Sequence, residues 1–207
     1  MVKGLKAAVG SLCLLAGSVF AVAATQTAWA YPVPSRIPTR WELKFEPGPV
    51  RLYVDPRSGA NYWYFTYKVT NNTGAERFWA PQLTLFTDGG AIMNAGENVP
   101  PQIESDLIDL LGNEYLARQN EVIGKIYVGP SNAIEGLAVW PASDLRVTEL
   151  SLFISGISGE TAEVRNPETD EREILQKTLR REYVAPGDPL ERGSDPLEFA
   201  GESWVMR

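Results

Sequence analysis

Two absences limit the chemistry open to this chain. It contains no histidine, and its one cysteine, Cys13, lies in an apolar N-terminal run. That excludes a Ser-His-Asp triad, a Cys-His pair, an HExxH zinc site and every histidine-ligated metal. Carboxylates, lysines, tyrosines and hydroxyls remain. Two carboxylates flanking a bond suffice for a glycosidase, and "ESDLID" brings Glu104, Asp106 and Asp109 together. On a helix Asp106 and Asp109 are neighbours at i,i+3, with Glu104 off to one side. The chain has 26 Asp and Glu residues, so chance clusters are common, and a solvated helix face accounts for this one. No catalytic residue is assigned.

Oxygen ligands for calcium are the next chemistry to weigh. The loop pattern D-x-[DN]-x-[DN]-G is absent. The acidic stretches "NPETDERE" and "SDPLE" read as hydrated turns, and no metal or cofactor is assigned. Asn71-Asn72-Thr73 fits the N-x-[ST] glycosylation pattern. It fits a turn closing a strand better, because Asn and Gly tolerate left-handed backbone and a turn needs no modifying machinery.

The aromatic run in "NYWYFTYKVTNNTG", 61–74, is the remaining candidate. Strand side chains alternate in direction. Trp63, Phe65, Tyr67 and Val69 form a large apolar face suited to a sandwich interior. Tyr62, Tyr64, Thr66 and Lys68 form an amphipathic outer face. Only Tyr62 and Tyr64 are left as a ligand-contact surface, a platform for a sugar or peptide. The competing expectation is that a helix over 101–119 covers them, since that helix needs somewhere to lay its own apolar stripe.

The elements that would hold these residues follow from periodicity. "WELKFE" and "VRLYV" alternate on either side of a "PGP" break, and "DPRSGA" turns the second into the aromatic run as a hairpin. Leu83 and Leu85 share one face of the next strand, with Phe86 on the other. Over 101–119 the period lengthens: Ile103, Leu107, Leu110 or Leu111, and Tyr115 line one helical face. "IGKIYV", "AIEGLAVWP" and "VTELSLFIS" return to strand, the last burying Leu150, Leu152 and Ile154. A hairpin around "NPETDE" follows; its return strand places Leu175, Leu179 and Tyr183 on one face, with Lys177 and Arg181 between them. The many short strands, with no alternation of strand and helix, predict an all-β sandwich.

Residues 1–30 carry Lys3 and Lys6, an apolar stretch and "AWA" before Tyr31, the pattern of a cleaved signal peptide. Leu12 before Cys13 and the apolar run beyond it do not fit lipidation, and no twin arginine calls for a special route. The expected product starts with a Pro-rich extended leader, 31–40. A sandwich over 41–184 follows, then a Pro/Gly-rich acidic tail over 185–207. That product contains no cysteine and therefore no disulfide. Loss of Lys3 and Lys6 takes the formal charge from -7 to -9, which argues against nucleic acid and anionic membrane partners. Stable membrane insertion is not expected after cleavage.

"YFTYKVTNNTGAERFWAPQLTLFTDGG" resembles small secreted bacterial immunoglobulin-like domains of the FxLYD kind. In these a strand ending in "V.N.TG" leads through a polar turn to a strand ending in an "F.D..G" turn. "GLAVWP…LRVTELSLFISGIS" is similar to their closing strands. The resemblance covers about half of residues 31–207 and brings no catalytic residues. It implies an Ig-like β-sandwich, here with a helical insertion around 101–119. The implied role is a non-enzymatic, exported interaction or support module at the cell envelope, whose partner would be an envelope protein or a glycan.

Overall fold

The computed structural model describes residues 31–166 and 168–207. The expected signal peptide, 1–30, lies outside the described residues. In chain order the first half contains β1 (Lys44–Val54), β2 (Asn61–Thr70), β3 (Arg77–Trp79), β4 (Gln82–Thr87), β5 (Ile92–Asn94), α1 (Pro101–Leu111) and β6 (Leu116–Arg118). The second half contains β7 (Gly124–Ile126), β8 (Ile134–Pro141), β9 (Glu149–Ser155), β10 (Thr161–Arg165), β11 (Arg172–Val184), α2 (Pro189–Arg192) and β12 (Glu198–Met206).

One sheet has the order β1-β2-β8-β6 and the other β10-β11-β9-β4-β5, with β12 also paired to β11; β3 and β7 form a separate ribbon. The alternation predicted for the aromatic run sets the contact between the sheets. Trp63, Phe65, Tyr67 and Val69 of β2 meet Leu83, Leu85, Leu150, Leu152 and Ile154 from β4 and β9 in one core. Burying each such side chain contributes roughly 1.5–3 kcal/mol. The chain is thus an all-β sandwich in its main body.

"PGP" does not end a strand. Residues 44–54 run as one strand whose register with β2 shifts between Pro47 and Val50. β1 is an edge strand, and a proline there removes no ladder bond that a second neighbour would need.

The predicted helix is shorter than 101–119. It ends at Leu111, where Gly112 takes a left-handed conformation (φ 62°) and donates its N–H to the carbonyls of Ile108 and Asp109. Residues 116–118 are then a strand, β6, parallel to β8. The apolar stripe shortens with the helix. Ile103 and Leu107 are buried, whereas Leu110 and Tyr115 are exposed. An isolated helix of this length is marginal in water, so docking supplies its stability. Ile103 and Leu107 pack on Tyr62, Tyr64, Leu137 and Val139, making a second core on the outer face of the β2–β8 pair.

The leader and the acidic tail both join the sandwich. In the tail the sequence singles out only "SWVM" as able to pair. The strand is longer, and β12 pairs with β11 from Glu198 to Met206. Across these strands lies the leader. Tyr31 donates its hydroxyl to the Met206 carbonyl, and the Ser35 N–H donates to Glu160. Beneath it sits Lys177, whose side chain is 1% exposed and lies 3.2 Å from Glu42 and 3.5 Å from Glu160. Its Nζ donates to the Ser35 carbonyl and lies over the Trp204 ring.

Candidate functional site

The aromatic platform is not present as a surface. Tyr62 is 8% and Tyr64 5% exposed, and both rings lie beneath α1. Burial pushes the Tyr64 hydroxyl pKa up. The expectation of a ligand-contact surface at Tyr62 and Tyr64 is therefore corrected: the helix occupies the face a ligand would need, because Ile103 and Leu107 have no other apolar surface to cover.

The remaining candidates part company. Asp106 pairs with Arg57. Asn71 is fully buried; its Nδ2 donates to the Ala75 and Ile126 carbonyls, and its Oδ1 accepts from Thr73. The Asn71 side chain therefore latches a turn and is engaged on both its nitrogen and its oxygen. Asn166 and Asp170, in the first acidic stretch, close that hairpin with Arg165 and Glu173. Among the described residues no group of three or more His, Cys, Asp or Glu side chains converges as a metal site.

Glu104 differs from its neighbours. The sequence places it on a solvated helix face; the structure buries it, with 8% of the residue exposed. It lies one turn into α1 and forms part of the wall of a cleft of about 510 Å³. The cleft opens between the start of α1, the β4–β5 edge and the segment after β6. Aliphatic walls come from Pro81, Leu83, Val99 and Ile123, and amide side chains from Gln82, Asn94, Gln119 and Asn120.

Local structure holds the amides in place. Gln119 accepts from the buried Tyr67 hydroxyl at 3.2 Å and donates to the Pro81 carbonyl at 2.9 Å, bridging the main core and the cleft. Asn94 accepts from Thr84 and donates to Glu97. The connection from β5 to α1 is tied to β8 by the Gly96 N–H, which donates to the Val139 carbonyl; Gly96 has φ 77°, a conformation that favours glycine.

The charges around Glu104 are incompletely matched. Its nearest cation is Arg118, whose Nε stands 3.8 Å from Oε2, too far for a hydrogen bond. Arg118 is committed elsewhere, donating to Glu121 at 2.9 Å and to the Ser105 hydroxyl at 2.8 Å. Its Nε is buried with no hydrogen-bond partner among the described residues. Burial pushes the Glu104 carboxyl up, Arg118 pulls it back only in part, and Glu121 adds to the rise. Glu121 is held below the usual carboxylate range, chiefly by the backbone N–H of Arg118. Two carboxylates thus share one guanidinium, and the buried one receives the poorer half.

Sequence reasoning missed Glu104 because a helical period places it beside Ile103 and between Asp106 and the strand before it, with no rule to say which side is covered. The available signal was its position one residue from the buried Ile103, at the edge of the apolar stripe. Chemically the cleft offers a desolvated acceptor, amide groups of both polarities and aliphatic surface, with no aromatic ring and no second ionisable group among the residues lining it. The chain matches no family model, no curated protein and no solved structure.

Proposed function

We propose that this chain is an exported, non-enzymatic binding module on an Ig-like sandwich, and that the cleft at the start of α1 is its recognition site. The observation that carries this reading is Glu104, a buried carboxylate that accepts no hydrogen bond among the described residues, in a cleft otherwise lined by amides and aliphatic groups. A buried charge left this way costs stability, and such costs concentrate where a ligand completes the site. Hydrolysis with two carboxylates would require a second one facing the first, and none lines the cleft.

The Ig-like assignment rests on pairing order. β1, β2 and β8 pair as strands A, B and E do in that fold, while β4, β9 and β11 pair as C, F and G. On this reading α1 and β6 are an insertion between the hairpin β4–β5 and β8, and β12 extends the second sheet beyond G. The likeness to FxLYD-type domains belongs to the same proposal. Export follows from the pattern of residues 1–30. Among the described residues no helix is long and apolar enough to cross a membrane.

The test uses the exported protein and a variant, Asn120→Trp, that crowds the cleft from an exposed position. An envelope component retained by the first and lost by the folded variant supports the proposal. Equal retention by both moves the binding site elsewhere.

A further inference from the structure

The class of ligand can be narrowed from the same cleft, and this step rests on the proposal that the cleft binds at all. We propose that it takes an alkylammonium group, of the kind a lysine side chain carries, with Glu104 as its counter-ion. Three observations converge. First, Glu104 is buried and anionic in type, and its nearest cation stays at 3.8 Å because that cation is spent on Glu121 and Ser105. A desolvated carboxylate is matched better by a charged donor than by a neutral hydroxyl. Second, the surroundings are acidic. Glu97 is bonded to Asn94 on the cleft wall, Glu121 lies behind Arg118, and the chain as a whole carries a formal charge of -7. That field favours a cation's approach. Third, the walls are aliphatic. Val99 and Ile123 offer surface to a methylene stem, whereas a sugar ring would find no aromatic face to stack on.

Gln82, Asn94 and Asn120 complete the arrangement at the mouth. Amide side chains pair with peptide N–H and C=O groups, so a lysine within an extended peptide gains contacts that a free amine does not. Arg118 keeps its bonds to Glu121 and Ser105 and is not among the residues lining the cleft, so an incoming ammonium meets Glu104 there without displacing it.

The experiment is an NMR titration of the isotope-labelled protein, residues 31–207, at neutral pH. The probes are Ac-Gly-Lys-Gly-NH2, the same peptide with Nε-acetyl-lysine, the same peptide with norleucine, n-pentylamine and an oligomer of N-acetylglucosamine. The expected result is saturable shifts at the backbone amides of residues 94–96, 104 and 118–120 with the lysine peptide. Binding should be about tenfold or more weaker with the acetylated and norleucine peptides. The same loss is expected for Glu104→Gln with the lysine peptide, checked for folding by circular dichroism. Pentylamine shifting the same amides more weakly than the peptide identifies the source as a peptide side chain; equal affinity identifies a free amine. If the neutral peptides or the sugar oligomer bind there as well as the lysine peptide does, the ammonium assignment is overturned while the cleft survives as a binding site. If none of the five probes moves these amides, the ammonium proposal falls, and the envelope retention experiment decides separately whether the cleft binds anything.

Discussion

At the scale of single residues, Glu104 links stability to pH in an unusual direction. Its folded carboxyl sits above the ordinary value of 4.5 because burial outweighs Arg118. Between the unfolded and the folded value, the native state therefore holds more protons than the unfolded state. Stability falls as pH rises through that window, and the deficit persists at neutral pH. Glu104→Gln removes the titration and the charge while keeping the size and shape of the side chain, and it breaks no hydrogen bond to Arg118, which stands 3.8 Å away. We expect the variant to match the original at about pH 4 and to exceed it at pH 7 by about 0.5–2 kcal/mol, the usual gain when a functional compromise is relieved. Urea unfolding at the two pH values measures this. A loss at pH 7 would mean that Glu104 is a structural partner of Arg118 and nothing more. The exposed Asp144 behaves in the opposite sense. Asp144, held at about 2 by the Arg146 side chain and backbone, is stabilising above the ordinary carboxylate range and loses that role as pH falls toward 2.

At the scale of elements, α1 buries the outer face of β2 at Tyr62 and Tyr64, while Lys68 on the same face stays exposed. Trp63 points between the sheets and Tyr64 points under the helix, so adjacent residues serve two different cores. Trp63→Ala is expected to cost about 3–5 kcal/mol. Tyr64→Ala should cost about 3 kcal/mol, and Leu107→Ala about 2–5 kcal/mol, because both open the contact of α1 with β2. Denaturant unfolding of the three variants checks this; a loss below 1 kcal/mol at Tyr64 would show that the helix contributes little cover. The strand faces were legible in the sequence, since Trp63, Phe65 and Tyr67 can share a side only if they point inward, and Leu150, Leu152 and Ile154 argue likewise. The helix was legible in its period, and Gly112 reads in the sequence either as a weak point in the middle of that helix or as its end. The buried set of the helix was not legible, because Leu110 and Tyr115 continue the apolar stripe on paper while the chain leaves the helix before it reaches a surface for them. The cleft was illegible for a further reason: its walls come from β4, β5, α1 and the segment after β6, and no local pattern states which of their polar side chains will converge.

At the scale of the whole molecule, the two ends of the described chain are closed over one buried lysine. Lys177 pairs in charge with Glu42 and Glu160 and donates a hydrogen bond to the Ser35 carbonyl. Burial pushes the Glu160 carboxyl up, but the Ser35 N–H and Lys177 outweigh it and hold it below its ordinary value. Lys177→Ala should cost about 3–5 kcal/mol, since it leaves two carboxylates facing each other without an amine. Adding Glu42→Gln and Glu160→Gln to that variant should recover a large part of the loss. Thermal unfolding of the single and triple variants decides between charge and packing: no recovery in the triple variant would assign the cost to the volume of the lysine stem.

The indole rings give the fold two optical reporters of its own. Trp63 and Trp140 face each other across β2 and β8, and the N–H groups of Trp79 and Trp140 are buried with no partner among the described residues. Emission from these dry rings lies toward the blue. Trp41 and Trp204 are only partly buried, at the margin of the core, each with a cation over its ring, so their light lies further to the red. Loosening the leader around Lys177 would change the red component while the blue one stays fixed, and parting the sheets would move both. A single emission spectrum followed through unfolding therefore separates the opening of the strap from the loss of the sandwich, without any added dye.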